Sequence, residues 1–329
     1  MRRRTVAVGL AAALTMFGPV AAHAAPHPND TVTVAASVDH VVELNAQRTA
    51  VFVQSPAMGR VVQVQILHPV GNAPRPSLYL LDGVSAGSES DFRESTWTQK
   101  TDAAAFFADK DVNAVLPVGG PASYYTDWEQ SDPVLGQNRW ETFLTRELPP
   151  IIDGRFGGNG VNAVAGLSMG AQAAMTLITR NPDLYRGVAA LSGCMDTGRI
   201  ESEAAVRGTI ASKGGDADNM WGPAGGPAWS AHDPSVNAEK LRGKHIFVST
   251  GNGAPGPHEL GAPDMVEKVA VGGPLEVASQ SCTELFRDRL DQLAIPATFL
   301  FRPFGTHSWP YWQDDLKAAW PTLADALGV

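Results

Sequence analysis

The stretch NAVAGLSMGAQAAMTLITRNP, residues 162–182, runs from an apolar segment through a serine between two glycines into a helical pattern. Asn181-Pro182 ends that helix, because the residue before a proline is pushed out of the helical region. Strand, sharp turn and helix, in that order, form the setting in which the serine of a G-x-S-x-G motif becomes a nucleophile. Gly166 and Gly170 allow the strand and helix to approach, so the Ser168 hydroxyl projects above the sheet. In a chain with 33 glycines the motif alone is common, so a base, an acid and an oxyanion site must also be found.

The flanking sequence alternates short apolar runs with helical segments. Residues 77–83, 113–119, 161–168, 187–193, 244–251 and 297–303 are apolar and end at turn residues, as strands buried on both faces of a parallel sheet do. RVVQVQIL, residues 60–67, alternates with period two and predicts a half-buried strand, hairpinned antiparallel to 49–55. Helices are expected at 97–108, 140–152, 169–180, 275–293 and 311–327. This alternation predicts one α/β domain over residues 36–329, with a mostly parallel central sheet and function at the carboxyl ends of its strands. The Gly/Pro-rich segment 213–234 reads as a long ordered loop, a natural rim for a substrate site.

The amino terminus has three arginines, then an apolar run, then Ala22-His23-Ala24, the order of a secretory signal peptide cleaved after Ala24. Residues 25–35 read as a flexible leader. The apolar run is shorter than the roughly 20 residues of a membrane span, and no later run is long enough. The exported chain is therefore expected to be secreted or held peripherally at the cell envelope. Loss of three of the 25 basic residues, against 34 acidic ones, leaves a markedly acidic protein. That balance argues against nucleic acid and against docking on anionic lipid. Cys194 and Cys282 are the only cysteines. In an exported chain an isolated pair reads as a disulfide, since two thiolates cannot close a zinc sphere. No motif for a metal or an organic cofactor is present.

A base for Ser168 is expected in a strand-end loop C-terminal to it, with the acid between them. Of His232, His245, His258 and His307, only His307 follows the last strand and precedes the final helix, in FRPFGTHSWPYW. The acid must orient the imidazole and stabilise its protonated form, and Glu259, Asp264 and Glu276 all meet that need on spacing alone. The Met169 amide, at a helix N-terminus, is the expected oxyanion donor, and Val84, in the loop after 77–83, offers a second. Tyr124, Tyr125 and Trp128 follow a strand and are read first as packing, with a sugar or lipid site as the alternative.

Seven ordered blocks resemble the antigen 85 and corynebacterial-type mycolyltransferases: YLLDG, LPVGGPASYYTDW, RWETFLTRELP, GLSMG, DNMWGP with the PAW and DP that follow it, GNG, and GTHSWPYW. The resemblance implies an α/β-hydrolase fold and transfer of a mycolyl chain from trehalose monomycolate to a second one or to cell-wall arabinogalactan. By position it implies Ser168 as nucleophile, His307 as base and, from GPLEVAS, Glu276 as acid. It further implies an oxyanion hole from Val84 and Met169. Substrate contacts are implied at Asp82, Ser85, Asp196, Ser308 and Trp309, and a Cys194–Cys282 bridge would tie the acid's helix to a strand end. Mycobacterial relatives also bind fibronectin, a possible further partner by resemblance. One departure bears on the sugar: the mycobacterial enzymes have an arginine where this chain has Ser85. A secreted carboxylesterase and a non-catalytic surface protein are the competing expectations.

Overall fold

The computed structural model describes residues 35–71 and 73–329; the expected signal peptide and nearly all of the expected leader lie outside them. Nine strands form one sheet in the order β1-β2-β3-β5-β4-β6-β7-β8-β9. They are β1 Ser37–Asn45, β2 Arg48–Ser55, β3 Arg60–Leu67, β4 Arg75–Leu81, β5 Asn113–Val118, β6 Gly158–Leu167, β7 Tyr185–Leu191, β8 His245–Thr250 and β9 Thr298–Phe301. β1, β2 and β3 form an antiparallel meander that joins β5, and every pairing from β5 through β4 and β6 to β9 is parallel.

The parallel strands are apolar throughout because helices cover both faces of the sheet. Successive β6 side chains show it. Val164 packs toward Met175 and Ile178 of the helix Met169–Arg180, whereas Ala163, Ala165 and Leu167 join Trp312, Leu316 and Leu323 of the C-terminal helix Trp309–Leu327. The carboxyl ends of β4, β6, β7, β8 and β9 open on one edge of the sheet, so the loops that follow them meet there. Among the described residues, no helix is long and apolar enough to cross a membrane.

Three local departures from the sequence expectation have physical causes. The helix expected at 97–108 is two short ones, Thr96–Lys100 and Ala103–Phe107. Between them Thr101 is extended, and its hydroxyl donates to Trp97 O and accepts from Ala103 N, ending one helix and starting the next. The helix expected at 140–152 runs to Arg155 through a wide π turn, Phe143–Glu147. That turn precedes Pro149-Pro150, which give no N–H to the ladder. Segment 213–234 is not a continuous loop, since it contains the helical turns Ala217–Trp221 and Pro227–Ala231.

Candidate active site

Ser168 lies between β6 and the helix Met169–Arg180 with φ 52° and ψ −121°, a strained backbone for a residue with a side chain. Packing holds it there. A Cβ on Gly166 would stand 2.2 Å from Gly170 O, and one on Gly170 would stand 2.4 Å from Asp82 O. Only glycine permits strand, turn and neighbouring β4 to come so close. The Ser168 amide donates to Leu191 O at 2.8 Å, tying the turn to the end of β7.

The loop after β9 brings His307 over this turn. Its Nε2 is 2.8 Å from Ser168 Oγ and its Nδ1 is 2.8 Å from Glu276 Oε2. Glu276 is in the first turn of the helix Gly273–Gln292 and is fully buried. Its Oε1 accepts from Ser192 Oγ (2.7 Å), Gly251 N (2.5 Å), Thr250 Oγ1 (3.3 Å) and Arg302 (3.1 Å). Burial opposes its charge, but the bond to and charge of His307, the Gly251 amide and the Ser192 hydroxyl outweigh burial. The carboxyl is held below the usual carboxylate range.

The other two acids left open by spacing point elsewhere. Glu259 accepts from Thr306 Oγ1 (2.7 Å), Tyr311 OH (2.5 Å) and Gly256 N (2.8 Å), bracing the residues around His307 without reaching its ring. Asp264 pairs with Lys268 at 3.1 Å. Of the remaining histidines, His232 stacks on Trp221, while His245 and His258 pair with Asp325 and Asp314.

Two backbone donors stand beside Ser168. Among the described residues no hydrogen bond engages the amide of Met169 or of Val84. A Cβ on Gly83, next to Val84, would lie 3.7 Å from Ser168 Cβ, so the β4 loop abuts the serine. The Ser168 hydroxyl opens into a cavity of about 460 Å³ between the helices Ile200–Ala211 and Gly273–Gln292. Val206, Leu275, Ala278, Leu285 and Tyr124 line it, with Arg199 and Glu201 also contributing. The rim is therefore the helix Ile200–Ala211 and not segment 213–234, none of whose residues lines the cavity. Sequence patterning misses that helix because it buries only Ser202, Val206 and Ile210, a stripe one residue wide. A disulfide joins Cys194 to Cys282 in the cavity wall.

The residues expected to touch substrate are distributed less simply. Asp82 does not face the cavity. It is fully buried, and its carboxylate accepts from Ser95 Oγ (3.0 Å), Thr96 N (2.9 Å) and Trp97 N (3.2 Å). Burial raises its pKa to about 6 against the lowering effect of those donors. Ser308 is also buried, with its hydroxyl turned to Thr306 and Glu259. Asp196 accepts from Gly198 N and Arg199 N in its own loop. Trp309 is half-buried, edge-on to Trp97 and Trp312, and Ser85 is half-buried in the Val84 loop. None of these five lines the cavity. Tyr125 and Trp128 are core residues, and Tyr124 is both core and cavity wall.

A family model described as putative esterase matches residues 55–323. The diacylglycerol acyltransferase/mycolyltransferase Ag85A of Mycobacterium tuberculosis is 36% identical over 287 residues, 84% of this chain and 80% of the relative. The chain belongs to the antigen 85-type mycolyltransferase family. Ag85B of Mycolicibacterium smegmatis is 35% identical, with 84% of each chain covered. Among solved structures, Mycobacterium tuberculosis MPT51 (FbpC1) superposes with a TM-score of 0.70 at 28% identity, covering 84% of this chain and 97% of that one. An S-formylglutathione hydrolase from Agrobacterium tumefaciens shares the fold, with a TM-score of 0.63 at 16% identity over 88% of this chain and 99% of that one. The mycolyltransferase chain thus has the α/β-hydrolase fold in a single domain.

Proposed function

We propose that the protein is an exported serine acyltransferase that moves a mycolyl-type acyl chain between trehalose glycolipids, or from them to cell-wall polysaccharide. The observation that carries this is the line Ser168–His307–Glu276, with 2.8 Å at each junction, opening into a largely apolar cavity. The names of the relatives supply the acyl group.

In the first half-reaction His307 Nε2 takes the Ser168 proton while Oγ attacks the ester carbonyl of the donor. The tetrahedral oxyanion lies against the amides of Met169 and Val84, at the positive end of the helix Met169–Arg180. His307 then protonates the departing sugar oxygen, leaving the acyl chain esterified to Ser168 with its tail in the cavity. In the second half-reaction an acceptor sugar hydroxyl gives its proton to His307 and attacks the acyl-enzyme, and the serine is regenerated. Glu276, held as a carboxylate, orients the imidazole and balances the imidazolium in both halves. Export is assigned to residues 1–24 and the catalytic domain to residues 36–329.

Acceptor dependence tests the transferase reading. With an aryl ester of a long acyl chain as donor, added trehalose should speed turnover and capture the chain as a trehalose ester. Turnover indifferent to trehalose, with free fatty acid as the sole product, would make the protein an esterase.

A further inference from the structure

Behind Glu276, on the side away from His307, lies a second set of charges that the double displacement does not use. Arg302, at the end of β9, points its guanidinium inward between two carboxylates. One Nη is 3.1 Å from Glu276 Oε1, and Nε is 3.4 Å from Asp315 Oδ1 on the C-terminal helix. All three groups are buried. Asp315 Oδ2 accepts from Ser249 Oγ at 2.8 Å, anchoring it to the end of β8. The Tyr311 ring faces the guanidinium, 4.6 Å from its centroid, and Tyr311 OH in turn donates to Glu259. The His307 loop closes over the cation through Gly305, at φ 113°, where a Cβ would stand 3.2 Å from the other Nη and from the Tyr311 ring.

Hydrogen bonding does not account for this arginine. Among the described residues its Nε and second Nη have no aligned acceptor, although both are buried. A buried guanidinium with two unsatisfied nitrogens is costly, and apolar residues in place of the whole charged set would serve stability as well, so its place needs another reason. Charge supplies one. Glu276 and Asp315 would otherwise be two carboxyls buried near each other, and each disfavours ionisation of the other. Asp315 shows the pressure: burial raises it to about 7 against the lowering effect of Arg302, with Glu276 and Asp314 raising it further.

We propose that Arg302 is a positioning residue for the reaction: its contact with Oε1 fixes the Glu276 carboxylate with Oε2 aimed at His307, and Asp315 holds Arg302 in place. Glu276 then has its partners divided, with Oε1 occupied by Arg302, Ser192, Thr250 and Gly251, and Oε2 left for His307. The inference presupposes the Ser168–His307–Glu276 assignment above.

The test compares wild type with Arg302→Met, Arg302→Lys, Asp315→Asn and the double variant Arg302→Met/Asp315→Asn. Burst acylation by a chromogenic aryl ester is followed across pH, beside Ser168→Ala. Arg302→Met should lower the acylation rate about ten- to a hundredfold, by analogy with the loss seen when the partners that orient metal-ligating side chains are removed. KM should change little. Its acid limb should move to higher pH, because loss of the cation raises Glu276. Arg302→Lys should recover most of the rate. The double variant removes the buried charge pair together, so it keeps the fold if Arg302→Met alone does not, and it should remain slow with the shifted limb. Recovery of wild-type rate in the double variant would reduce Arg302 to a structural ion pair and overturn the inference. A wild-type pH profile in either Arg302→Met background would do the same. Ser168→Ala still giving a burst would instead overturn the nucleophile assignment on which the inference stands.

Discussion

Cys194 and Cys282 are bridged with their Cα atoms 5.0 Å apart, joining the loop after β7 to the helix that carries Glu276 in its first turn. The bond closes a loop of 88 residues that contains the rim helix and β8. A cross-link of that span restricts the unfolded chain and stabilises the fold by up to about 4 kcal/mol. Cys282→Ser, or reduction of the wild type, should lower the denaturant midpoint accordingly. A midpoint indifferent to reductant would show that the bridge adds nothing.

The elbow depends on two missing side chains. Gly170→Ala puts a methyl 2.4 Å from Asp82 O, against backbone that cannot swing aside. The expected cost is about 2–4 kcal/mol of stability, from overpacking in a rigid surround. Acylation should fall further than stability does, because a shift of about 1 Å at Oγ is enough to lose about a hundredfold in rate. A folded Gly170→Ala protein with wild-type acylation would contradict the elbow's role.

Asp82 gives a pH signature in stability. Its folded pKa of about 6 lies above the ordinary value of 3.8, so the folded state holds the proton more tightly than the unfolded one. Stability from this group is fully present below the unfolded value and is lost as pH rises toward 6, after which it is level. A gap of about two units corresponds to roughly 3 kcal/mol. Asp82→Asn should therefore cost more stability at pH 4 than at pH 7, read from urea midpoints. A penalty that grows with pH would reverse the sign and show the carboxylate to be favoured by folding.

Sequence carries the architecture well where one force dominates. β3 and the helix Met169–Arg180 have the bounds that alternation and the Asn181-Pro182 stop predict, because burial and backbone constraint agree there. β1 escapes notice, since its residues are largely exposed and it pairs only with β2. The position of His307 after the last strand can be read from order alone. The partner of His307 cannot, because Glu259, Asp264 and Glu276 differ only in which way the folded chain turns them. Arg302 and Asp315 carry no local signal, being single charges in segments that otherwise read as strand end and helix. Position in the sequence also does not reveal that the Asp82 carboxylate accepts three hydrogen bonds from the loop at residues 95–97.

In the proposed mechanism the acyl tail lies in the cavity beside Ser168, so the wall of that cavity should limit chain length. Ala278 lies in its wall on the helix Gly273–Gln292. Ala278→Trp should leave short-chain aryl ester turnover near wild type while lowering kcat/KM for long-chain esters by about tenfold or more, since a pocket discriminates by what it can no longer seat. Equal loss on acetyl and long-chain esters would place the acyl tail outside this cavity.

The central claim is that Ser168 carries the acyl chain. Intact-protein and peptide mass spectrometry after incubation with a long-chain trehalose mono-ester addresses it directly. The account predicts one acyl group on the peptide containing Ser168, removed by further mono-ester as acceptor with formation of the di-ester and release of the free serine, and no adduct in Ser168→Ala. An acyl adduct on another residue, or di-ester formed at the wild-type rate by Ser168→Ala, would contradict it.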